Sequence, residues 1–102
     1  MTNLIEKHRK EVADLCRRAG ALRLDVFGSA ARSDFDRASS DLDFLVEFDH
    51  LSPVQYANAY FTLKESLEAL FQRPVDLVTV AGLENPYFRD RVLSERKLVY
   101  AR

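Results

Sequence analysis

The sequence has little of several features that mark other classes of protein. A single cysteine, Cys16, excludes an intramolecular disulfide and is typical of a reducing compartment. No apolar run approaches the roughly 20 residues that span a bilayer. The charged stretch of residues 1–10 also lacks the apolar segment of a signal peptide. We therefore predict a soluble, cytoplasmic protein with no membrane association.

An excess of basic residues is missing as well. The chain has 15 basic and 16 acidic residues and a net charge of −1. Proteins that bind polynucleotides usually carry a basic excess, because contacts to phosphates supply much of their affinity. We therefore expect no direct binding of a polynucleotide. A small nucleotide that arrives with its own metal ion needs no such excess.

Length and composition predict one globular domain over residues 1–102. A chain of 102 residues with 47% hydrophobic residues can build one core without disulfides. We find no repeat, low-complexity tract or linker. The apolar periodicity predicts the order α-β-turn-β-α-β-α-β. The helices are expected over residues 3–19, from residue 52 and from residue 85, and the strands over 22–27, 41–48, 75–80 and 97–101.

This order predicts an α+β fold, a two-layer α/β arrangement of a sheet with helices packed on it. Gly20 is expected to end the first helix, and Ser52 to cap the next one through a capping box with Gln55. The last helix is expected to turn Phe88, Val92 and Leu93 inward. The connection over residues 29–40 lacks a full helix apart from a short turn at residues 30–32. Long connections of this kind tend to be functional.

Two carboxylates on one strand are the first sign of chemistry. Asp41 and Asp43 lie two residues apart, so they share one face of the strand at a spacing of about 7 Å, while Leu42 and Phe44 point to the packed face. Asp76 lies in another apolar strand and completes a cluster if the two strands are neighbours. Three carboxylates suit Mg²⁺ and can hold two ions about 3.5–4 Å apart.

The Gly28-Ser29 pair at the end of the first strand suggests a phosphate site. Glycine lets the backbone approach a ligand closely, and Ser29 offers a hydroxyl and a backbone N–H at the start of a helical turn. Arg32 follows one turn later and could pair with a phosphate oxygen. With the carboxylates, these residues suggest attack at the α-phosphorus of a nucleoside triphosphate.

Gly28-Ser29, eleven intervening residues and Asp41-Leu42-Asp43 together resemble the signature of the DNA polymerase β-like nucleotidyltransferase superfamily. The segments around both motifs are similar to those of its minimal, MNT-type members, although Ser33 stands where members usually have glycine. The resemblance implies the polymerase β-like fold, a mixed sheet with helices on one face. It also implies Asp41, Asp43 and Asp76 as metal ligands.

The same resemblance implies a partner. Minimal members often pair with a small helical HEPN protein and act as antitoxins by attaching AMP from ATP to a tyrosine of this toxin. The chain is too short for a separate acceptor-binding domain. Acceptor selection is therefore expected from a partner surface or from a second copy of the chain.

Other interpretations of these residues stay open. An Asp-x-Asp pair can keep an edge strand soluble, and Arg32 can be a surface residue. His8 and Cys16 suit core or partly exposed positions, and Tyr56 and Tyr60 suit a helix face or a partner surface. The alternative to an enzyme is a non-catalytic module that neutralises its partner by occlusion.

Overall fold

The computed structural model describes residues 2–32 and 41–102. Residues 33–40 lie outside the described residues. They include Ser33 and most of the connection that was expected to be functional. The helices and strands follow the predicted order, with bounds as follows: α1 (Asn3–Lys7), α2 (Arg9–Ala19), β1 (Ala21–Phe27), β2 (Leu42–Phe48), α3 (Pro53–Phe71), β3 (Val75–Thr79), α4 (Pro86–Glu95) and β4 (Lys97–Ala101). Short 3₁₀ turns follow β1 at Gly28–Ala30 and β3 at Val80–Gly82.

The four strands form one mixed sheet in the order β3-β2-β1-β4. β1 pairs antiparallel with β2 and β4, whereas β2 and β3 are parallel. The α+β class and the mixed sheet are confirmed. The parallel pair places the chain's second and third strands side by side, which decides where their carboxylates meet.

Local sequence signals set the helix ends. Gly20 ends α2 in the left-handed conformation at φ 75°, a backbone region that glycine adopts without cost. The Ser52 hydroxyl accepts a hydrogen bond from the Gln55 N–H while the Gln55 side chain accepts one from the Ser52 N–H, so the predicted capping box is confirmed. The single first helix of the prediction is instead divided at His8, whose φ of −109° and ψ of 17° depart from helical values.

The main core lies between one face of the sheet and the helices α1, α2 and α3. Its strand residues alternate along the chain, as expected for a half-buried sheet. They include Leu24, Val26, Phe44, Val46 and Leu77, all buried. Cys16 is buried in this core, and burial raises the pKa of its thiol to about 12. The prediction that Cys16 is a core residue is therefore confirmed.

Helix α4 lies on the opposite face of the sheet, so the expectation of helices on one face describes only α1, α2 and α3. Phe27 and Leu45 pack there with Val92, and the rings of Phe27 and Phe88 meet edge to face at 6.1 Å. The predicted inward positions of Phe88 and Val92 are confirmed, but Leu93 is exposed. The carboxylate face of the sheet is therefore partly covered by a helix.

The outer edge of β3 is covered by side chains from α3. The Tyr60 hydroxyl donates a hydrogen bond of 2.6 Å to the Leu77 carbonyl, and the Glu68 carboxylate accepts one of 3.1 Å from the Val75 N–H. These bonds use backbone groups that would otherwise be open to another strand. Tyr60 therefore has a structural task on the helix face. Within residues 2–32 and 41–102, none of the helices has the length and apolarity to span a membrane.

Asp25 is a buried carboxylate that the strand pattern did not single out. It lies on the α4 face of β1 and is 1% exposed. Arg23 Nε donates to both of its oxygens at 3.1 and 3.0 Å, and Arg96, directly after α4, approaches to 3.5 Å. A carboxylate taken out of water is costly unless it is paired. The contact between Asp25 and Arg96 therefore joins β1 to the end of α4.

We expect Arg23→Ala to lower the free energy of unfolding by about 2 kcal/mol, since Asp25 would keep only the more distant Arg96. Urea denaturation at neutral pH measures this loss. The control is Arg102→Ala, which breaks the exposed pair with Asp49 and should cost less than about 1 kcal/mol. Equal effects of the two substitutions would contradict a special role for the buried pair.

Candidate active site

The strand register brings the candidate carboxylates together. Asp43 on β2 is aligned with Asp76 on the parallel β3, and with Phe27, the last residue of β1, on its other side. Aligned residues of neighbouring strands lie about 5 Å apart and point to the same face. Asp41 is exposed one residue before β2, at the same end of the sheet. Asp76 thus meets the condition set by the sequence, that its strand neighbours β2.

Gly28 is built directly against Asp43. Its φ is 69°, in the left-handed region that favours glycine. A Cβ atom at this position would lie 2.4 Å from Oδ2 of Asp43, far inside van der Waals contact. The absence of a side chain at Gly28 therefore leaves the space that the Asp43 carboxylate occupies.

The surroundings of Asp43 disfavour the ionised form of its carboxyl group. Burial and the neighbouring charges of Asp76 and Asp41 raise the pKa of this carboxyl, Arg91 and Arg32 act in the opposite direction, and the net result is a pKa of about 6. Carboxylates that repel one another in a partly buried position favour a bound cation. The three candidate carboxylates therefore interact electrostatically although they come from two strands.

The donor set fits a divalent metal ion. Carboxylate oxygens are the ligands that Mg²⁺ prefers, and this ion usually takes only one or two carboxylates together with water and substrate phosphates. Across residues 2–32 and 41–102, no three His, Cys, Asp or Glu side chains already stand around a common point. The strand register aligns Asp43 with Asp76, and a bound ion would have to draw these two carboxylates and Asp41 together.

The Gly28-Ser29 turn and Arg32 lie next to these carboxylates. The backbone N–H groups of Ala31 and Arg32 donate to the Gly28 carbonyl at 3.1 and 3.2 Å and close the tight turn after β1. Ser29 is half-buried within this turn. The Arg32 guanidinium extends to α4, where it donates to Glu95 Oε1 at 2.9 Å. The residues from Gly28 to Arg32 thus form one continuous segment beside Asp43.

The sequence did not predict that α4 lies beside this segment. Arg91 and Glu95 are one helical turn apart, and Arg91 Nε lies 3.8 Å from Glu95 Oε1. Their spacing of four residues indicates a shared helix face, but no local signal connects that face with the Gly28-Ser29 turn. The contact between Arg32 and Glu95 joins residues 63 positions apart.

The fold and the site together define a class of enzyme. A mixed sheet presents aligned carboxylates against a Gly-Ser turn, as is typical of nucleotidyl transfer to an acceptor. The model of the family described as nucleotidyltransferase domain matches residues 5–99. The chain belongs to this family, and the protein is a nucleotidyltransferase.

Comparison with individual proteins agrees with this class. The chain is 32% identical over 97 residues to a proposed protein adenylyltransferase of Methanocaldococcus jannaschii, covering 95% of this chain and 90% of that one. It is 39% identical to the solved structure of a proposed minimal nucleotidyltransferase, with a TM-score of 0.71 and coverage of 94% and 95%.

A more distant likeness concerns the fold alone. A chain in the solved complex between a tri-AMPylated Shewanella oneidensis HEPN toxin and an MNT antitoxin matches at 19% identity and a TM-score of 0.64. The match covers 96% of this chain and 73% of that one.

Proposed function

We propose that this protein transfers AMP from ATP to a tyrosine of a HEPN-type toxin, and thereby acts as the antitoxin of a toxin–antitoxin pair. The observation that carries the proposal is the alignment of Asp43 and Asp76 against the Gly28-Ser29 turn. The relative named as a proposed protein adenylyltransferase supports transfer to a protein. The AMPylated toxin in the Shewanella complex supports the kind of acceptor.

The carboxylates would hold Mg²⁺. Asp43 and Asp76 supply the aligned oxygens, Asp41 supplies a third ligand group, and the set has room for two ions. Bound Mg²⁺ would neutralise charge on the α-phosphate and on the leaving pyrophosphate. The raised pKa of Asp43 fits this task, since a cation relieves the repulsion that burial and the neighbouring carboxylates create.

The remaining residues would position the triphosphate. Gly28 allows the nucleotide to approach the backbone, the Ser29 hydroxyl and N–H bind phosphate oxygens, and Arg32 pairs with a further oxygen. The acceptor hydroxyl attacks the α-phosphorus, forms a new P–O bond and displaces pyrophosphate. The proton of the acceptor hydroxyl passes to a carboxylate. Asp76 suits this role because it is exposed on the edge strand, where an incoming protein can reach it.

The experiment is incubation of the protein with α-³²P-labelled ATP, Mg²⁺ and a co-encoded HEPN protein. We expect label on the HEPN protein, and none with Asp41→Ala/Asp43→Ala or in the presence of EDTA. The matched control is Asp14→Asn, because Asp14 is an exposed carboxylate of α2 that pairs only with Arg17 in the described contacts. This variant should transfer label at the wild-type rate.

Absence of label with wild-type protein would contradict the proposal. If the two proteins then still formed a stable complex, the function would be occlusion of the toxin by a non-catalytic module. If label appeared on the nucleotidyltransferase itself, the acceptor would be a second copy of the chain. Peptide mapping of the labelled protein identifies the modified residue and tests the assignment to tyrosine.

A further inference from the structure

Two arginines from distant parts of the chain share one carboxylate beside the active site. Arg32 Nη1 donates to Glu95 Oε1 at 2.9 Å, and Arg91 Nε lies 3.8 Å from the same oxygen. The Glu95 side chain is only 20% exposed, whereas those of Arg32 and Arg91 are 43% and 63% exposed. The Glu95 carboxylate therefore contacts both guanidinium groups, and both arginine side chains remain partly exposed.

The position of this cluster connects it to the nucleotide site. Arg32 closes the turn that begins at Gly28, and α4 is held over the end of β1 by the contact between Phe27 and Phe88. Both guanidiniums lie within electrostatic reach of Asp43, whose pKa they lower.

Stability does not explain the arrangement well. A largely buried carboxylate pays a desolvation cost that its ion pairs often only balance. Glu95 Oε2 is buried and, within the described part of the chain, accepts no hydrogen bond. A guanidinium held in one orientation, in contrast, loses less entropy when it binds a phosphate through two parallel hydrogen bonds. The geometry thus favours a role in ligand binding.

We propose that Arg91 is a second phosphate-binding residue beside Arg32, and that Glu95 is a positioning residue that orients both guanidiniums toward the β- and γ-phosphates of the nucleotide. This inference rests on the proposed function, because it requires a triphosphate at the Gly28-Ser29 turn. According to this inference, α4 also contributes residues to the nucleotide site, although it carries neither the Gly-Ser nor the Asp-x-Asp motif.

The test is calorimetric titration of purified protein with the unreactive analogue α,β-methylene-ATP in Mg²⁺, and separately with AMP. We expect Arg91→Ala and Glu95→Ala each to weaken analogue binding about tenfold, the size of one charge-assisted hydrogen bond. AMP binding should stay within twofold, since AMP lacks the phosphates concerned. The matched control is Arg89→Ala, which removes an exposed arginine of the same helix and should change neither affinity.

Comparison of a triple variant with a double variant separates positioning from simple folding defects. If Glu95 acts through the arginines, Arg32→Ala/Arg91→Ala/Glu95→Ala should bind the analogue no more weakly than Arg32→Ala/Arg91→Ala. Glu95→Gln should recover part of the affinity because its amide oxygen still accepts a bond from Arg32. Thermal unfolding identifies any variant that fails to fold, and Glu95→Gln then carries the test.

The outcomes distinguish this inference from the proposed function. Unchanged or tighter analogue binding by Glu95→Ala or Arg91→Ala, with wild-type binding intact, overturns the inference alone. Equal weakening of AMP and analogue binding also overturns it, because the substitutions would then act on the whole fold. Failure of the wild-type protein to bind the analogue in Mg²⁺ would instead contradict the proposed function.

Discussion

Replacing Gly28 by alanine is expected to lower nucleotide transfer by about 100-fold while the protein stays folded. The new Cβ would lie 2.4 Å from Asp43 Oδ2, so the short Asp43 side chain must turn away from its present position beside the aligned Asp76. A displacement of about 1 Å in a catalytic constellation can cost about 10²-fold in rate. The left-handed backbone adds strain of about 1–2 kcal/mol. Label transfer and urea denaturation measure the two effects.

Gly20→Ala is the matched control for Gly28→Ala. Gly20 has a similar positive φ of 75°, but no heavy atom beyond its own chain neighbours lies within 4 Å of the Cβ that alanine would add. This variant should lose about 1 kcal/mol of stability from backbone strain and keep the wild-type rate of transfer. A Gly28→Ala protein as active as Gly20→Ala would show that Asp43 need not occupy its present position.

Asp43→Asn is expected to slow nucleotide transfer strongly and to stabilise the metal-free protein. Under the proposed function Asp43 is a metal ligand, so its loss should slow transfer by about 10³-fold, since a bound metal contributes several kcal/mol of transition-state stabilisation. Without metal, however, the ionised Asp43 is unfavourable, because burial together with the charges of Asp76 and Asp41 raises its pKa from 3.8 to about 6. The ionised carboxylate of Asp43 is therefore expected to favour activity but to lower the stability of the metal-free protein.

The expected gain in stability of Asp43→Asn follows from the pH dependence of Asp43 ionisation. Below pH 3.8 the carboxyl is protonated in both the folded and the unfolded chain, so the wild type pays no penalty. Between pH 3.8 and about 6 the unfolded chain ionises first, and wild-type stability falls as the pH rises. Asp43→Asn should therefore gain stability over this range and keep the gain above it. Solvent screening reduces the gain to about 1 kcal/mol.

Chemical denaturation in EDTA from pH 3.5 to 7.5 measures the gain. Asp49→Asn is the control of opposite sign, because hydrogen bonds from the His50 N–H and Arg102 hold the pKa of Asp49 below its usual value. It should not stabilise the protein at neutral pH. Added Mg²⁺ should then raise the stability of the wild type more than that of Asp43→Asn. A wild type more stable than Asp43→Asn in EDTA at pH 7 would refute the prediction.

Local features of the chain were predictable because they depend on neighbouring residues. The periods of two and 3.6 residues identify the strands and most helices, and the Ser52-Gln55 capping box and Gly20 mark helix ends at the residues where the structure has them. The division at His8 was not predictable, since the apolar spacing continues through it. Leu93 was expected to face inward on apolar character alone, whereas α4 buries Val92 and leaves Leu93 exposed.

The sequence by itself determined the class of the protein, because the Gly28-Ser29 turn and the Asp41-Leu42-Asp43 pair are short motifs whose spacing is a property of the chain. Only the tertiary structure decided that β3 aligns Asp76 with Asp43 and that α4 brings Glu95 to Arg32. It also decided that Asp25 is buried beneath the end of that helix. Strand order and helix placement follow from the burial of apolar surface over the whole molecule, which no local pattern encodes.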